Sequence, residues 1–240
     1  MASTLTTEAP AALTQLEFYD LPPTSTLHVY WRAVAAARYH RRTQYKVKRL
    51  FDIAASLLLL ALLSPLLLVV AILIRSTSRG PILFRQQRLM KNGNEFTLLK
   101  FRTMVNGADG MLDKVFHLNV ASGPLFKARK DPRCTPVGRL LRKTFIDELP
   151  QLINVLRGEM SLVGPRPILA REVADLPGRV VFRLSVPQGI TGPWQIGGHH
   201  KLTFEEQLVA ERRYIEDWSL RKDIEILIRT VALVVGTTGA

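Results

Sequence analysis

The sequence predicts an α-rich α/β protein, with one long apolar membrane helix joined to a compact domain of short strands and amphipathic helices. Three observations predict it. The run Phe51 to Ile74 is 24 residues long and carries one charge, Asp52. Two short apolar runs flank Asn92-Gly93, a strong hairpin signal. Farther along, apolar residues recur at helical spacing in separate stretches.

The chain has 240 residues, 47% of them hydrophobic, and a formal charge of +13 from 33 Lys+Arg against 20 Asp+Glu. That excess suits an anionic partner: phosphate groups, anionic lipid or nucleic acid. One cysteine, Cys134, excludes an internal disulfide framework and fits a reducing compartment. Residues 1–45 read as an N-terminal tail. Glu8, Glu17 and Asp20 in its first 26 residues argue against a secretory signal. Residues 27–42 suit either a linker or a short basic helix, with Trp31 and Tyr39, at a membrane surface. No internal repeat is present.

The membrane segment is placed within residues 46–79. As a straight helix, Phe51–Ile74 would extend about 36 Å, against a hydrocarbon core of about 30 Å. Pro65 has no N–H and its ring crowds the carbonyl of Ala61, so a kink or break is expected there. The Ser64 hydroxyl can serve a freed backbone group. Lys46, Lys48 and Arg49 precede the segment, and Arg75, Arg79, Arg85 and Arg88 follow it. Cations favour the cytoplasmic side. Both flanks claim it, which a helix-break-helix hairpin satisfies and a span does not. These features alone leave a hairpin and a kinked span about even.

Residues 80–240 form the remaining domain. Residues 82–89 and 95–101 are expected to pair as strands, and 105–126 to be irregular or helical. Leu149, Leu152, Ile153 and Leu156 share one helical face, Pro150 fits the first turn and Gly158 the end. The helix is therefore expected to start near 146–149, with Asp147-Glu148 at its N-terminus. Adjacent side chains diverge on a helix, which suits two jobs around one ligand. Acidic residues are ordinary in a first turn. Here, however, Lys127, Arg129, Lys130, Arg133, Arg139, Arg142 and Lys143 precede the pair, and Arg157 and Arg166 follow it. Two carboxylates among these cations read as a Mg²⁺-plus-phosphate site. The alternative for most of the cations is a solvated face near anionic lipid. In "GPRP" (164–167) both prolines stiffen the loop, which would hold the forked guanidinium of Arg166 for phosphate. Thr203 and Glu206 form a capping box. The helix that follows is expected to reach about Trp218 and to bury Phe204, Leu208, Ile215 and Trp218. A last amphipathic helix, "LRKDIEILIRTVALVV", suits either a membrane interface or a core.

The ordered blocks "KRLFD", the apolar segment with Ser-Pro, "LLKFRTM", "DPRCTPVGRLLRKTFIDELPQLINVLRGEMSLVGPRP" and "GITGPWQIGG" resemble the bacterial sugar transferase family, over roughly residues 46–235. These are monotopic phosphoglycosyl transferases that begin glycan assembly on polyprenyl phosphate. The resemblance implies a re-entrant helix broken at Ser64-Pro65, with Lys48 and Arg49 anchoring its start at lipid headgroups. It implies a cytosolic catalytic domain with interfacial amphipathic helices on the cytoplasmic face of the bacterial inner membrane. The reaction would move a sugar-1-phosphate, glucose or galactose, from a UDP-sugar to undecaprenyl phosphate and release UMP. Asp147 would be the nucleophile and Glu148 would bind Mg²⁺. Arg142, Lys100, Arg102, Arg166, Gly192 and the position of His199 would serve substrate and its phosphates. The family usually carries Arg where His199 stands, so sugar or nucleotide preference is where this chain departs. His199 and His200 as a metal pair lack a nearby ligand pattern and read as a polar loop. Partners are the nucleotide sugar, the lipid phosphate and membrane lipid, with room for a homodimer. A catalytically inactive membrane adaptor that binds lipid phosphate or a partner is the alternative from a different class. Nucleic acid explains neither the apolar segment nor the acidic pair and is set aside.

Overall fold

The structure is a computed structural model of the chain that describes residues 42–119, 128, 131–175, 180–197 and 202–236. The expectations for the N-terminal tail up to residue 41, and those for Lys127, Arg129, Lys130, His199 and His200, lie outside the described residues.

Helix α1 (Arg42–Thr77) contains the whole apolar segment and begins before the expected residue 46. It is rich in Leu and Ala, which lose little on entering a helix. The expected break is not an interruption: helical structure continues through Pro65. The cause is local. Pro65 leaves the carbonyl of Ala61 without its usual N–H, and the Ser64 hydroxyl donates to that oxygen at 2.8 Å. The helix is long and apolar enough to cross a membrane.

Strands β1 (Leu83–Leu89) and β2 (Glu95–Phe101) pair antiparallel in the expected place, with Leu83 opposite Phe101 and Leu89 opposite Glu95. Their turn uses the Asn92-Gly93 signal, both residues taking positive φ (+69° and +82°). Residues 108–118 form short helical turns, including α2 (Leu112–Val115). Helix α3 (Pro136–Lys143) has Pro at its start and Thr135 as its cap.

Asp147 and Glu148 do not open the next helix as expected. They lie on a separate 3₁₀ turn (Ile146–Glu148), and α4 (Gln151–Arg157) begins after Pro150. Phe145, at φ +57°, reverses the chain between α3 and this turn. The buried face of α4 is also rotated from expectation. Gln151, Leu152, Asn154 and Val155 are buried, while Leu149, Ile153 and Leu156 are half-buried. Asn154 sets this rotation. Its Oδ1 accepts from the Leu99 N–H at 3.0 Å and its Nδ2 donates to the Thr97 carbonyl at 2.8 Å, pinning α4 to β2. Gly158 ends the helix at φ +84°, as expected.

The second sheet was not anticipated. Strands β3 (Ser161–Val163) and β4 (Gly189–Thr191) pair in parallel, and at three residues each they are too short to show a period. Helix α5 (Ala170–Asp175) and a 3₁₀ turn (Val181–Ser185) connect them. Helices α6 (Pro193–Ile196), α7 (Phe204–Glu216) and α8 (Leu220–Val235) complete the fold. The Thr203–Glu206 capping box is present in both directions, and Phe204, Leu208, Ile215 and Trp218 are buried. Helix α7 stops at Glu216, two residues short of Trp218.

The apolar core has two parts. The larger joins β1, β2, α4, β3, α7 and α8, and takes in Tyr45, Ala55, Leu59 and Leu60 of α1. The smaller holds Val70 and Ile74 of α1 with Phe101 and Leu141, and Leu67, Ile82, Val137 and Ile146 at its edge. Both halves of α1 therefore pack on the described domain. Its middle is bare, with Leu62 70% exposed.

Lys48 does not anchor to lipid headgroups. It is 3% exposed, with Nζ 2.6 Å from Asp223 and 3.2 Å from the Val163 carbonyl. Asp223 also accepts from Tyr214 and Trp218. One turn on, Asp52 accepts from Ser161 and from the Leu162 N–H. Arg49 is likewise engaged. Its two terminal nitrogens donate to the carbonyls of Val155 and Leu156 at 2.6 and 3.0 Å, capping the end of α4.

Candidate active site

The chain-reversing Phe145 presents Asp147 and Glu148 toward β2. A non-glycine residue at φ +57° costs about 1–2 kcal/mol and is held only where surroundings demand it. The two carboxylates go to different places, as their adjacency suggested. Asp147 is 8% exposed. Glu148 is half-buried and pairs with Lys100 of β2 at 2.7 Å. Burial, and then the negative charge of Glu148, push the Asp147 carboxyl up to about 6, while Lys100 and Arg142 pull the other way. Among the described residues no side chain donates a hydrogen bond to Asp147.

Arg142 lies in the last turn of α3, and its Nε donates to Thr103 Oγ1 at 2.9 Å. That contact requires α3 to lie against the β2 exit. Gly138 allows it: a Cβ there would come within 1.9 Å of the Thr103 carbonyl oxygen. The Thr135 N–H closes the same joint on that oxygen at 3.0 Å. Lys100, Arg142, Asp147 and Glu148 thus converge from β2, α3 and the 3₁₀ turn.

Arg166 approaches from the 164–167 loop. Its guanidinium stacks on Trp194, 5.0 Å from the ring centroid, and the Arg166 backbone N–H donates to Glu211 at 3.1 Å. Glu211 is fully buried and paired with Arg183. Arg88, absent from the sequence expectations as a site residue, holds the loop from beneath. It donates to the Pro167 carbonyl at 2.9 Å and is clamped by Gln86 at 2.7 and 3.0 Å. Burial chiefly lowers its guanidinium to about 10, helped by the neighbouring charge of Arg166; Glu172 and, more weakly, Glu148 oppose this. Arg88 therefore lies within electrostatic reach of both Arg166 and Glu148. Its signal in the sequence was slight: a second Arg three residues after Arg85 on a strand whose pairing buries the later one.

Two expected phosphate ligands are placed otherwise. Arg102 turns away from the carboxylates to the end of α1, donating to the Ser78 carbonyl and hydroxyl at 2.9 and 2.8 Å. Gly192 backs onto Gly164, whose carbonyl oxygen would lie 2.3 Å from an added Cβ. Close backbone packing accounts for that glycine.

The described residues thus bring a buried Asp, a Lys-paired Glu and Arg142 together in a helical domain that carries a β-hairpin and a helix long and apolar enough to cross a membrane. The family model described as bacterial sugar transferase matches residues 43–237, and the chain belongs to that family. It is 38% identical to the exopolysaccharide production protein ExoY of Rhizobium meliloti, over 80% of this chain and 87% of that protein. It is 41% identical to the UDP-glucose:undecaprenyl-phosphate glucose-1-phosphate transferase of Caulobacter vibrioides, over 80% of this chain and 71% of the relative. Identity to the undecaprenyl-phosphate galactose phosphotransferase of Salmonella typhimurium is 36%, over 83% of this chain but only 43% of that longer protein.

Proposed function

We propose that the protein moves a hexose-1-phosphate from a UDP-hexose to undecaprenyl phosphate at the cytoplasmic face of a bacterial inner membrane, as the first membrane step of exopolysaccharide, O-antigen or capsule assembly. The observation that carries this reading is Asp147: a buried carboxylate without a side-chain donor among the described residues, beside Glu148, Lys100 and Arg142, in a chain of the sugar transferase family. Glucose and galactose are the sugars that the relatives' names offer.

In this account an Asp147 carboxylate oxygen attacks the phosphorus that bears the sugar. The bond from that phosphorus to the bridging oxygen breaks, and UMP leaves with the oxygen and its electron pair. An oxygen of the lipid phosphate then attacks the aspartyl phosphate. The phosphorus–carboxylate bond breaks, Asp147 is regenerated as a carboxylate, and the product is a polyprenyl diphosphate sugar. No proton need move in either displacement. Splitting the transfer this way replaces one difficult step by two easier ones. Arg142 and Lys100 lower the like-charge repulsion between carboxylate and diphosphate, and Arg166, held by Trp194, Glu211 and Arg88, is positioned for a phosphate.

The carboxylates fit Mg²⁺. They are hard oxygen donors, Asp147 being raised by burial and then by the neighbouring Glu148, and Mg²⁺ is typically held by one or two carboxylates and substrate phosphates. Glu148 would hold it, and when bound it would supply further charge neutralisation at the transferring phosphate.

The membrane reading is a re-entrant helix. A straight 36-residue helix would extend about 54 Å. Yet Lys48 at its start binds Asp223 and Ser78 just past its end receives Arg102, both in the one domain. Attachment at both ends supports entry and exit from the same face, with the exposed Leu62 region as the buried apex in lipid.

The reading is tested by assaying transfer of radiolabelled hexose phosphate to undecaprenyl phosphate in membranes containing wild type or Asp147→Asn. Loss of transfer is expected. Undiminished transfer by the variant would remove Asp147 from the chemistry. Mg²⁺-dependent release of UMP from a UDP-hexose would exclude the adaptor.

A further inference from the structure

Four arginines are buried among the described residues: Arg88, Arg102, Arg133 and Arg183. Three have a carboxylate within 4 Å: Arg133 binds Asp131, Arg183 binds Glu211, and Arg88 lies 3.9 Å from Glu172. Arg102 is different. It is 6% exposed, and no carboxylate among the described residues pairs with it. Its NH2 nitrogen is used by Ser78, but Nε and NH1 are buried without a partner. Three of the five N–H donors of a fixed cation are therefore idle. The guanidinium is held below its ordinary range by burial and then by Arg75, a second cation. Leaving a buried charge unmatched is among the costlier arrangements a protein can hold.

The surroundings indicate what would match it. Arg75 is exposed in the last turn of α1, and Ser78 follows that helix directly. The cover over Nε and NH1 is thin. Gly80, at φ +121°, lies so close that a Cβ would fall 2.1 Å from NH1, with the Asn106 side chain beside it. Arg79 and Pro81 on either side are exposed, so the bend that lies over NH1 is itself at the surface. A forked guanidinium with a second arginine is a set of donors for a tetrahedral phosphate, while Ser78, whose hydroxyl donates to the Ile74 carbonyl at 3.2 Å, positions the Arg102 fork. Its place at the end of an apolar helix is the level of lipid headgroups.

We propose that Arg102 and Arg75, with Ser78 positioning Arg102, form a second anion site, apart from Asp147, that takes the phosphate of a membrane lipid where α1 leaves the bilayer. This rests on the membrane reading of α1 but not on the transfer chemistry. The site also touches the catalytic frame, since Arg102 precedes Thr103, the acceptor of Arg142. An occupied site would stiffen the strand exit that carries both.

The test uses the full chain in nanodiscs of phosphatidylcholine, with or without phosphatidylglycerol, and reads the thermal midpoint without any nucleotide sugar. Phosphatidylglycerol is expected to raise the wild-type midpoint. Arg102→Met is expected to have a higher midpoint than wild type in phosphatidylcholine alone, because the unmatched charge is gone, and to lose most of the phosphatidylglycerol shift. Arg75→Gln, a surface change that does not threaten folding, should weaken the same shift. Further arms add a short-chain polyprenyl phosphate or inorganic phosphate to phosphatidylcholine discs. A response to polyprenyl phosphate but not phosphatidylglycerol reads as acceptor binding at the Asp147 site and overturns the separate site. A response to inorganic phosphate as large as that to either lipid overturns the lipid assignment. An Arg102→Met protein that is less stable than wild type and keeps the full phosphatidylglycerol shift shows a purely structural arginine and overturns the site.

Discussion

Two groups of charge, each assembled from a Lys and two carboxylates, one fully buried and one half-buried, differ in the donors their carboxylates receive. At the foot of α1, Lys48, Asp52 and Asp223 are saturated. Asp223 alone receives Lys48, Tyr214 and Trp218, and Asp52 receives Ser161 and a backbone N–H. At the 3₁₀ turn, Lys100 is committed to Glu148, and Asp147 is left buried with its proton affinity raised. The first cluster spends its hydrogen bonds on fixing the membrane helix to the domain. The second gives the Asp147 carboxylate a backbone hydrogen bond but no side-chain donor among the described residues. Burial raises the Asp52 carboxyl as well, so what separates the two clusters is side-chain hydrogen bonding: Asp52 and Asp223 receive side-chain donors, and Asp147 receives none among the described residues.

The comparison breaks most visibly if the saturated cluster is opened. Lys48→Met leaves Asp223 and Asp52 without their cation, and removing one partner of a buried pair costs about 3–5 kcal/mol. Chemical denaturation in detergent should show that loss. A change under 1 kcal/mol would mean that the joint is solvated in the membrane-bound protein. The opposite sign is expected at the other cluster. Asp147→Asn should stabilise the fold by up to about 3 kcal/mol near neutral pH, while abolishing transfer. The pH dependence follows in sign. The folded carboxyl holds its proton up to about 6 whereas the unfolded one releases it near 3.8. Stability of the wild type should then fall as pH rises across that window in metal-free buffer, and the Asn variant should show a shallower slope, the remainder belonging to Asp52, which burial also raises. Transfer should instead rise through the same window, since the nucleophile must be ionised.

Smaller changes sharpen the picture. Gly138→Ala forces α3 off the Thr103 carbonyl, an overpacking of about 1–3 kcal/mol. Because it moves Arg142, activity should drop more than stability does, and kinetics beside melting curves would separate the two. Ser64→Ala removes only the hydroxyl that serves the Ala61 carbonyl, and is expected to cost about 1 kcal/mol or less. If the helix truly turns in lipid at this point, the variant should also show altered cysteine labelling of residues 44 and 80 in spheroplasts.

What could be read in the sequence was local. The Asn92-Gly93 turn, the Thr203–Glu206 box, the Gly158 stop and the Ser64 service to Ala61 each depend on residues within four or five positions. What could not be read depends on distant partners. Lys48 meets Asp223 across 175 positions, which turned an expected headgroup anchor into a buried joint. Arg102 faces Ser78 rather than the carboxylates, because the fold returns the end of α1 to the β2 exit. The buried face of α4 was misjudged by counting leucines, since the polar Asn154 is the residue that docks the helix. Of the site itself, the acidic pair and Arg142 were legible, as was the loop bearing Arg166. Arg88, Thr103 and Trp194, which hold those groups in place, carried no signal apart from their types.

The account turns on Asp147 forming a bond to the transferred phosphate. Intact-protein mass spectrometry after brief exposure to a UDP-hexose and Mg²⁺, with no lipid phosphate present, tests it most directly. The wild type is predicted to gain the mass of one hexose phosphate, mapped by proteolysis to the peptide containing Asp147. The adduct should disappear on adding undecaprenyl phosphate and be absent from Asp147→Asn. Lipid product formed at full rate with no adduct at any quench time, or an adduct that persists in Asp147→Asn, would contradict the account.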